Sequence, residues 1–224
     1  MSTYGQFCPV ARAMELLDER WTLLVVRELL LGSRHFNDLR RGVPKMSPAL
    51  LSKRLKSLCR AGVVERTEID GRTTYSLTPC GAELAGVVHA LGEWGVRWMG
   101  ELGDKDLDAH LLMWDIRRSI SIDAWPRART VVAFRLTGVD PKASRWWLTV
   151  SEGTADVCDF DPGYDVAATI EASLRDLTRI WLGELSWSRA ILNGTVTVSG
   201  AADVRQAVLD WIGQSHMAAV PRPA

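Results

Sequence analysis

Apolar positions in the first hundred residues recur with helical spacing, and small or rigid residues interrupt them. CPVARAMELLDE reads as a short helix, since Pro9 is tolerated in a first turn where its missing N–H would be unpaired anyway. RWTLLVVRELLLG is apolar on nearly all sides and predicts the buried central helix of its domain, ended by Gly32. HFNDLRRGV predicts a third helix with Phe36 and Leu39 inward, stopped at Gly42, Val43 and Pro44. Then comes SPALLSKRLKSLCRAG. Ser47 is a strong cap, Pro48 a natural first residue, and Leu51, Leu55 and Leu58 form one stripe, with Ser52, Lys53, Lys56 and Arg60 on other faces. Gly62 closes that helix. VVERTEI and TTYSLT predict two short strands joined at Asp70-Gly71-Arg72, because Asp-Gly is a favoured tight-turn dipeptide. A long helix is expected from Pro79 to about Leu102, with Leu84, Val88, Leu91, Gly95, Trp98 and Leu102 along one side.

Past a polar, glycine-containing join near residues 100–108 the pattern changes. AHLLMWDIRRSI predicts a helix and RTVVAFRLTG a strand; RWWLTVSEGTADVCDF predicts a hairpin turning at Glu152-Gly153. DVAATIEA alternates as a strand does. SLRDLTRIWLGEL and SWSRAILNG predict two helices, TVTVSG a strand and AADVRQAVLDWIGQ a closing helix. This order is α+β, with helices packed on one side of a sheet. The expected architecture is multidomain: a mainly-α winged helix-turn-helix over residues 1–102, and an α+β domain over residues 103–224.

Charge sharpens the picture. The 224-residue chain has a formal net charge of zero, yet residues 20–72 carry 12 basic and 5 acidic side chains. The basic excess lies on the stretch that holds the capped helix and the hairpin, which is the electrostatic footprint of a nucleic-acid partner. A helix of that length and polarity suits a major groove about 12 Å wide, and the hairpin tip with Arg72 would reach the backbone or the neighbouring minor groove. No run of about 18 uncharged apolar residues exists, and the N-terminus lacks a signal-peptide core, so a cytoplasmic protein with no membrane partner is expected. Cys8, Cys59, Cys80 and Cys158 form no CxxC pair and the four histidines are scattered, which is poor material for zinc or a disulfide framework. Phosphate-binding glycine loops, GxSxG and HExxH are absent; no cofactor, no metal and no enzyme activity are expected.

CPVARAMELLDERWTLLVVRELLLGSRHFNDLRRGVPKMSPALLSKRLKSLCRAGVVERT resembles the HxlR-type bacterial transcriptional regulators. The marks are the early Cys-Pro, the RWTLLVVREL core, the basic residues before HFNDL, and the S-x-x-x-LSxRLKxL recognition helix. Cys59 departs from the family, many of whose members carry an acidic residue there. The resemblance implies a homodimer, built mainly from the first and last helices of the winged domain, on a two-fold symmetric, pseudo-palindromic operator in double-stranded DNA. It implies that Arg34 and His35 touch phosphate, that Ser47, Ser52 and Lys53 meet the groove with Pro48 at the helix head, that Lys56 meets the backbone, and that Arg72 is the wing contact. Such a protein would regulate transcription, most simply as a repressor.

The second half resembles the sterol-carrier-protein fold, a small α+β module with an apolar tunnel, through DVAATIEASLRDL, LGELSWSRAILNGTVTVSG and the closing helix with Trp211. Seven of the ten tryptophans lie there, and Trp146 and Trp147 must point to opposite faces of their strand. Trp114, Trp146, Trp147, Trp181 and Trp187 are the candidates to line a pocket for a small hydrophobic or aromatic effector, against the plainer reading that they are core. A hydrophobic small-molecule carrier is the rival from another class. A redox-sensing regulator is another alternative, through Cys8: some members of the resembled family use a cysteine near this position, and thiols at helix N-termini favour the reactive thiolate.

Overall fold

The computed structural model describes residues 3–222. Two compact units divide between Trp94 and Gly95.

In the first unit, helices α1 (Pro9–Leu17), α2 (Thr22–Leu30), α3 (Phe36–Gly42) and α4 (Pro48–Arg60) precede a hairpin, β1 (Val64–Ile69) and β2 (Arg72–Leu77). A single turn, α5 (Pro79–Ala82), leads into α6 (Leu84–Trp98), whose last turn runs past the division at Gly95. Helix α4 is fixed by local signals. The Ser47 hydroxyl accepts from the Leu50 N–H at 3.3 Å, and Pro48 opens the first turn. At the other end Gly62 turns left-handed at φ 71°. There the Val63 N–H reaches the Leu58 carbonyl and the Gly62 N–H the Cys59 carbonyl, a Schellman ending that satisfies carbonyls the helix leaves open. Leu51, Leu55 and Leu58 are buried with Val25, Val26, Leu29, Leu39, Val43, Met46, Val63 and Val64. The hairpin turns at Asp70 and Gly71, both with positive φ, as a two-residue turn of the strand-matching hand requires.

Two expectations need correction. Helix α2 is not buried all round: it hides Thr22, Val25, Val26, Glu28 and Leu29, while Leu24 stays exposed. A carboxylate takes an inward place that an apolar count assigns to a hydrophobe. In α3 both Leu39 and Phe36 face inward as expected, the first buried and the second packed partly buried against the same core. The long helix breaks at Glu83 and ends at Trp98, short of Leu102. None of the residues in α1 or α6 is fully buried: Leu16, Leu84 and Val88 pack partly buried against the core, while Val10, Met14, Val87, Leu91, Trp94 and Trp98 stay exposed.

The second unit is an α+β layer. After α7 (Ala109–Ser119) come β3 (Thr130–Thr137), β4 (Arg145–Ser151), β5 (Thr154–Cys158) and β6 (Ala168–Ser173). Helices α8 (Leu174–Trp181) and α9 (Trp187–Leu192), strand β7 (Val196–Gly200) and helix α10 (Ala202–Ile212) complete it. The sheet order is β5-β4-β3-β6-β7, with β3 and β6 parallel and the other neighbours antiparallel. Alternate residues of β4 (Trp146, Leu148, Val150) and of β6 (Ala168, Ile170, Ala172) join one core with Met113, Ile116, Leu177, Ile180 and Trp211 of the helices. The β4–β5 turn falls at Glu152-Gly153, as the dipeptide predicts. Among the described residues, no helix is long and apolar enough to cross a membrane.

Candidate nucleic-acid interface

Burying one leucine stripe of α4 decides what its other faces can do. Lys53, Lys56 and Arg60 stand exposed and Ser52 is half-buried at the edge. Ser47 and Pro48 are exposed at the helix head. The Ser47 oxygen uses a lone pair to cap α4, which leaves its O–H available as a donor to an incoming acceptor. The Arg60 Nε–H donates to the Lys56 carbonyl at 3.3 Å, holding that guanidinium along the last turn.

A second cluster forms where the head of α3 meets the wing. The Tyr75 N–H donates to the Arg34 carbonyl at 2.8 Å. His35 Nδ1 lies 3.2 Å from the Thr73 carbonyl, a bond made when Nδ1 carries the proton. These contacts gather Arg34, His35 and the opening residues of β2 after Arg72, and all three basic side chains are exposed. Arg66 on β1 crosses the hairpin to the Thr73 hydroxyl at 3.0 Å.

Sequence reasoning missed two basic residues that face inward. Arg54 follows Lys53 directly, yet its relative exposure is only 8%. Its Nε–H donates to the Arg20 carbonyl at 3.0 Å and its Nη1 pairs with Glu19. A spacing signal existed, because Arg54 lies three residues after Leu51 and so belongs to the leucine side of the helix. The other is Arg27, whose Nη2 reaches both Glu28 Oε1 at 2.7 Å and the Gly42 carbonyl at 2.9 Å. The Glu28 side chain is fully buried, and the pair binds α2 to the end of α3 just before the turn into α4.

The candidate tryptophans of the second unit are built into its core and edges. Trp114, Trp146 and Trp181 are buried, while Trp147 and Trp187 are half-buried. Trp146 donates to the Ala143 carbonyl at 2.8 Å, Trp181 to Asp115 at 2.7 Å and Trp187 to the Gly213 carbonyl at 3.1 Å. The Arg117 guanidinium lies 4.9 Å over Trp114. Trp147 takes the opposite face of β4 from Trp146, opposite Ala133 of β3 and Cys158 of β5. A cleft of about 250 Å³ is lined by Glu101, Leu102, Arg175, Arg179 and Glu184. A more open one, about 390 Å³, is lined by Ser186, Ser188, Arg189 and Leu192. None of the five candidate tryptophans lines either.

Cys8 is half-buried at the head of α1, where its carbonyl accepts from the Arg12 N–H. Burial pushes the thiols of Cys59 and Cys158 above the usual range, partly opposed at Cys59 by the Arg66 charge. Among the described residues, no group of His, Cys, Asp or Glu is placed to hold a metal.

Comparison with known proteins also finds two separate parts in the chain. Residues 16–102 match the family described as HxlR-like helix-turn-helix, and residues 123–209 match the SCP-2 sterol transfer family. YvaP of Bacillus subtilis, an uncharacterized HTH-type transcriptional regulator, is 37% identical over 99 residues, which is 42% of this chain and 92% of YvaP. The uncharacterized HTH-type transcriptional regulator sll1512 of Synechocystis is 37% identical over 98 residues, covering 42% of this chain and 73% of its own length. Among solved structures, the reduced form of the transcriptional regulator YodB from B. subtilis is 28% identical with a TM-score of 0.38, covering 43% of this chain and all of that one.

Proposed function

This chain belongs to the HxlR-like helix-turn-helix family of transcriptional regulators, and from that premise we propose that it is a homodimeric repressor whose α4 enters the major groove of a pseudo-palindromic operator. The observation that carries this reading is the division of α4. Leucines 51, 55 and 58 are buried while Lys53 and Lys56 are exposed and Ser52 lies half-buried at the edge, so the helix is anchored by one side and offers donors on the other. Lys56, Arg34 and His35 supply salt-sensitive phosphate contacts; Ser47, Ser52 and Lys53, with Pro48 at the helix head, face base edges; Arg72 extends the footprint from the wing.

Dimerisation is supported by uncovered apolar side chains on the first and last helices of the winged domain. Val10 and Met14 of α1 and Val87, Leu91, Trp94 and Trp98 of α6 are all exposed in a single chain, and contiguous apolar exposure of this kind marks an interface. A two-fold pairing through these helices would present two copies of α4 to successive half-sites.

In this reading residues 1–102 bind DNA and pair, and residues 103–224 bind a small hydrophobic or aromatic effector. The match of residues 123–209 to the SCP-2 sterol transfer family supports an apolar guest there. An effector controls transcription only by binding the DNA-competent and DNA-incompetent states unequally. Cys8 offers a second input, as an oxidant-responsive thiol at the head of the pairing helix.

The test is duplex binding measured by fluorescence anisotropy at several salt concentrations, on sequences the protein itself selects from a randomised library. Selective binding should weaken as salt rises. Lys56→Ala should flatten the slope of log K against log salt by about 0.9, one phosphate contact's worth. Binding that ignores sequence, or that is unaffected by both Lys53→Ala and Lys56→Ala, would remove α4 from the interface.

A further inference from the structure

A guanidinium on a recognition helix is ordinarily read as a phosphate or guanine contact. Arg54 sits between Lys53 and Lys56 in sequence, but its side chain turns the other way, with only 10% of its surface exposed. It spans from α4 to the connection between α1 and α2, where it holds the Arg20 carbonyl at 3.0 Å and the Glu19 carboxylate. That connection is unusual in itself. Trp21, the cap residue just before α2, has φ 78°, a left-handed conformation that a non-glycine residue adopts only at a cost. The Arg20 guanidinium lies 5.4 Å over the Trp21 ring. So α4 is tied by a planar two-pronged donor to a turn that is itself held in one conformation. Helix α1, which leads into this turn, buries no residue of its own.

The geometry points to Arg54 as a positioning residue for DNA recognition, one that makes no contact with DNA. It fixes the rotation and axial setting of α4 relative to the α1–α2 turn, with Glu19 as its partner. The inference rests on the DNA-binding reading above. Leucines alone leave a helix some freedom to rock, because apolar contacts are non-directional. A guanidinium that holds a carbonyl and a carboxylate at once sets direction as well. With α4 so fixed, Lys53 and Lys56 are presented at one angle; without the tie they remain basic and exposed but are no longer held in register with the groove.

This makes Arg54 separable from the lysines by experiment. The probes are a duplex selected by the wild-type protein from a randomised library and an unselected random duplex of the same length. Arg54→Gln, Arg54→Lys, Glu19→Gln and Lys53→Ala are compared across a salt series, in full-length protein, below the unfolding temperature of each. Arg54→Gln should lose roughly ten-fold in affinity for the selected duplex, within the usual range for coupling between sites. Its affinity for the random duplex and its salt slope should stay at wild-type values. Arg54→Lys, which keeps the charge but not the fork, should fall between. Glu19→Gln removes the partner charge without touching α4 and should shift discrimination in the same direction, so it decides the matter if Arg54→Gln does not fold. A salt slope reduced by about 0.9 in Arg54→Gln would make it a phosphate contact and overturn the inference. So would wild-type discrimination in Glu19→Gln. If the wild-type protein selects no sequence at all, the DNA-binding reading itself falls, and this inference with it.

Discussion

Gly42→Ala tests how α3 is held before the chain turns into α4. Gly42 is the last residue of α3, in ordinary helical conformation, so propensity alone predicts that alanine stabilises it by about 0.5–1 kcal/mol. Its surroundings predict the reverse. A methyl carbon at 42 would sit 2.6 Å from Glu28 Oε1 and closer still to the Glu28 Cδ and Oε2. The Glu28 side chain is fully buried, and its Oε1 accepts from the Arg27 Nε at 3.0 Å and Nη2 at 2.7 Å. Making room means moving a buried carboxylate off its partner and loosening the Arg27 bond to the Gly42 carbonyl. Overpacking costs about 1–3 kcal/mol and losing one partner of a buried pair about 3–5, so a net loss of about 2 kcal/mol after the propensity gain is a conservative expectation. For a unit of this size that lowers the unfolding midpoint by roughly 8–16 °C. Calorimetry of the full chain reads this, and a double-mutant cycle with Glu28→Ala assigns it. In the Glu28→Ala background the obstruction is gone, and the half-buried Arg27 can turn to water. There Gly42→Ala should be neutral or mildly stabilising. A penalty of the same size in both backgrounds, or a stabilised single variant, would refute the argument.

Three further outcomes are expected. Sedimentation equilibrium should give twice the 24.9 kDa chain mass for the wild type and a monomer for Leu91→Asp/Trp94→Asp, since both side chains are about half exposed in one copy; a wild-type monomer or a dimeric variant would remove α6 from the pairing face. Brief iodoacetamide treatment at neutral pH should label exposed Cys80 well before Cys59 and Cys158. Burial raises the latter two thiols and so depletes their thiolate, with labelling that climbs as pH rises beyond the ordinary thiol range; faster labelling of Cys59 than of Cys80 would contradict this. Titration of intrinsic tryptophan fluorescence with a panel of hydrophobic and aromatic compounds should give a saturable change for at least one; flat curves throughout would count against an effector in the second unit.

What could be read from the sequence is what neighbouring residues decide among themselves. Ser47, Pro48, the leucines at 51, 55 and 58, and Gly62 are all within about four turns of one another, and each was legible because its partner lies one helical turn away. The Asp70-Gly71 and Glu152-Gly153 turns are local in the same sense. Trp146 and Trp147 took opposite faces because strand geometry leaves no choice. Less was legible where the partner lies far along the chain. Nothing near Arg54 in sequence announces Glu19, 35 positions earlier, and nothing near Glu28 announces the space that Gly42 leaves for it. The expectation for α2 failed on this point: an apolar run hid a buried carboxylate, and the room it occupies is left by Gly42 of another helix. The tryptophans were ambiguous for a related reason. An indole N–H must find an acceptor when buried, and those acceptors, Asp115 for Trp181 and the Gly213 carbonyl for Trp187, lie 66 and 26 residues away.

The inward arginines also change what the charge distribution means. Residues 20–72 hold 12 basic side chains, and composition alone would assign all of them to the DNA. Arg27 is engaged with Glu28 and the end of α3, Arg54 with Glu19, and Arg66 across the hairpin. The basic segment is therefore partly scaffold: some of its charges hold elements of the fold in place, and in the proposed binding mode others meet phosphate. Salt dependence scales with the phosphates neutralised and not with the basic residues present. A chain of zero net charge can then bind a polyanion through a few well-held cations, without the general stickiness that a large uniform positive field brings. Selectivity follows from the same economy. In the proposed binding mode, few phosphate contacts would leave the base-edge contacts of α4 a larger share of the binding free energy, a share that would depend on how rigidly α4 is held.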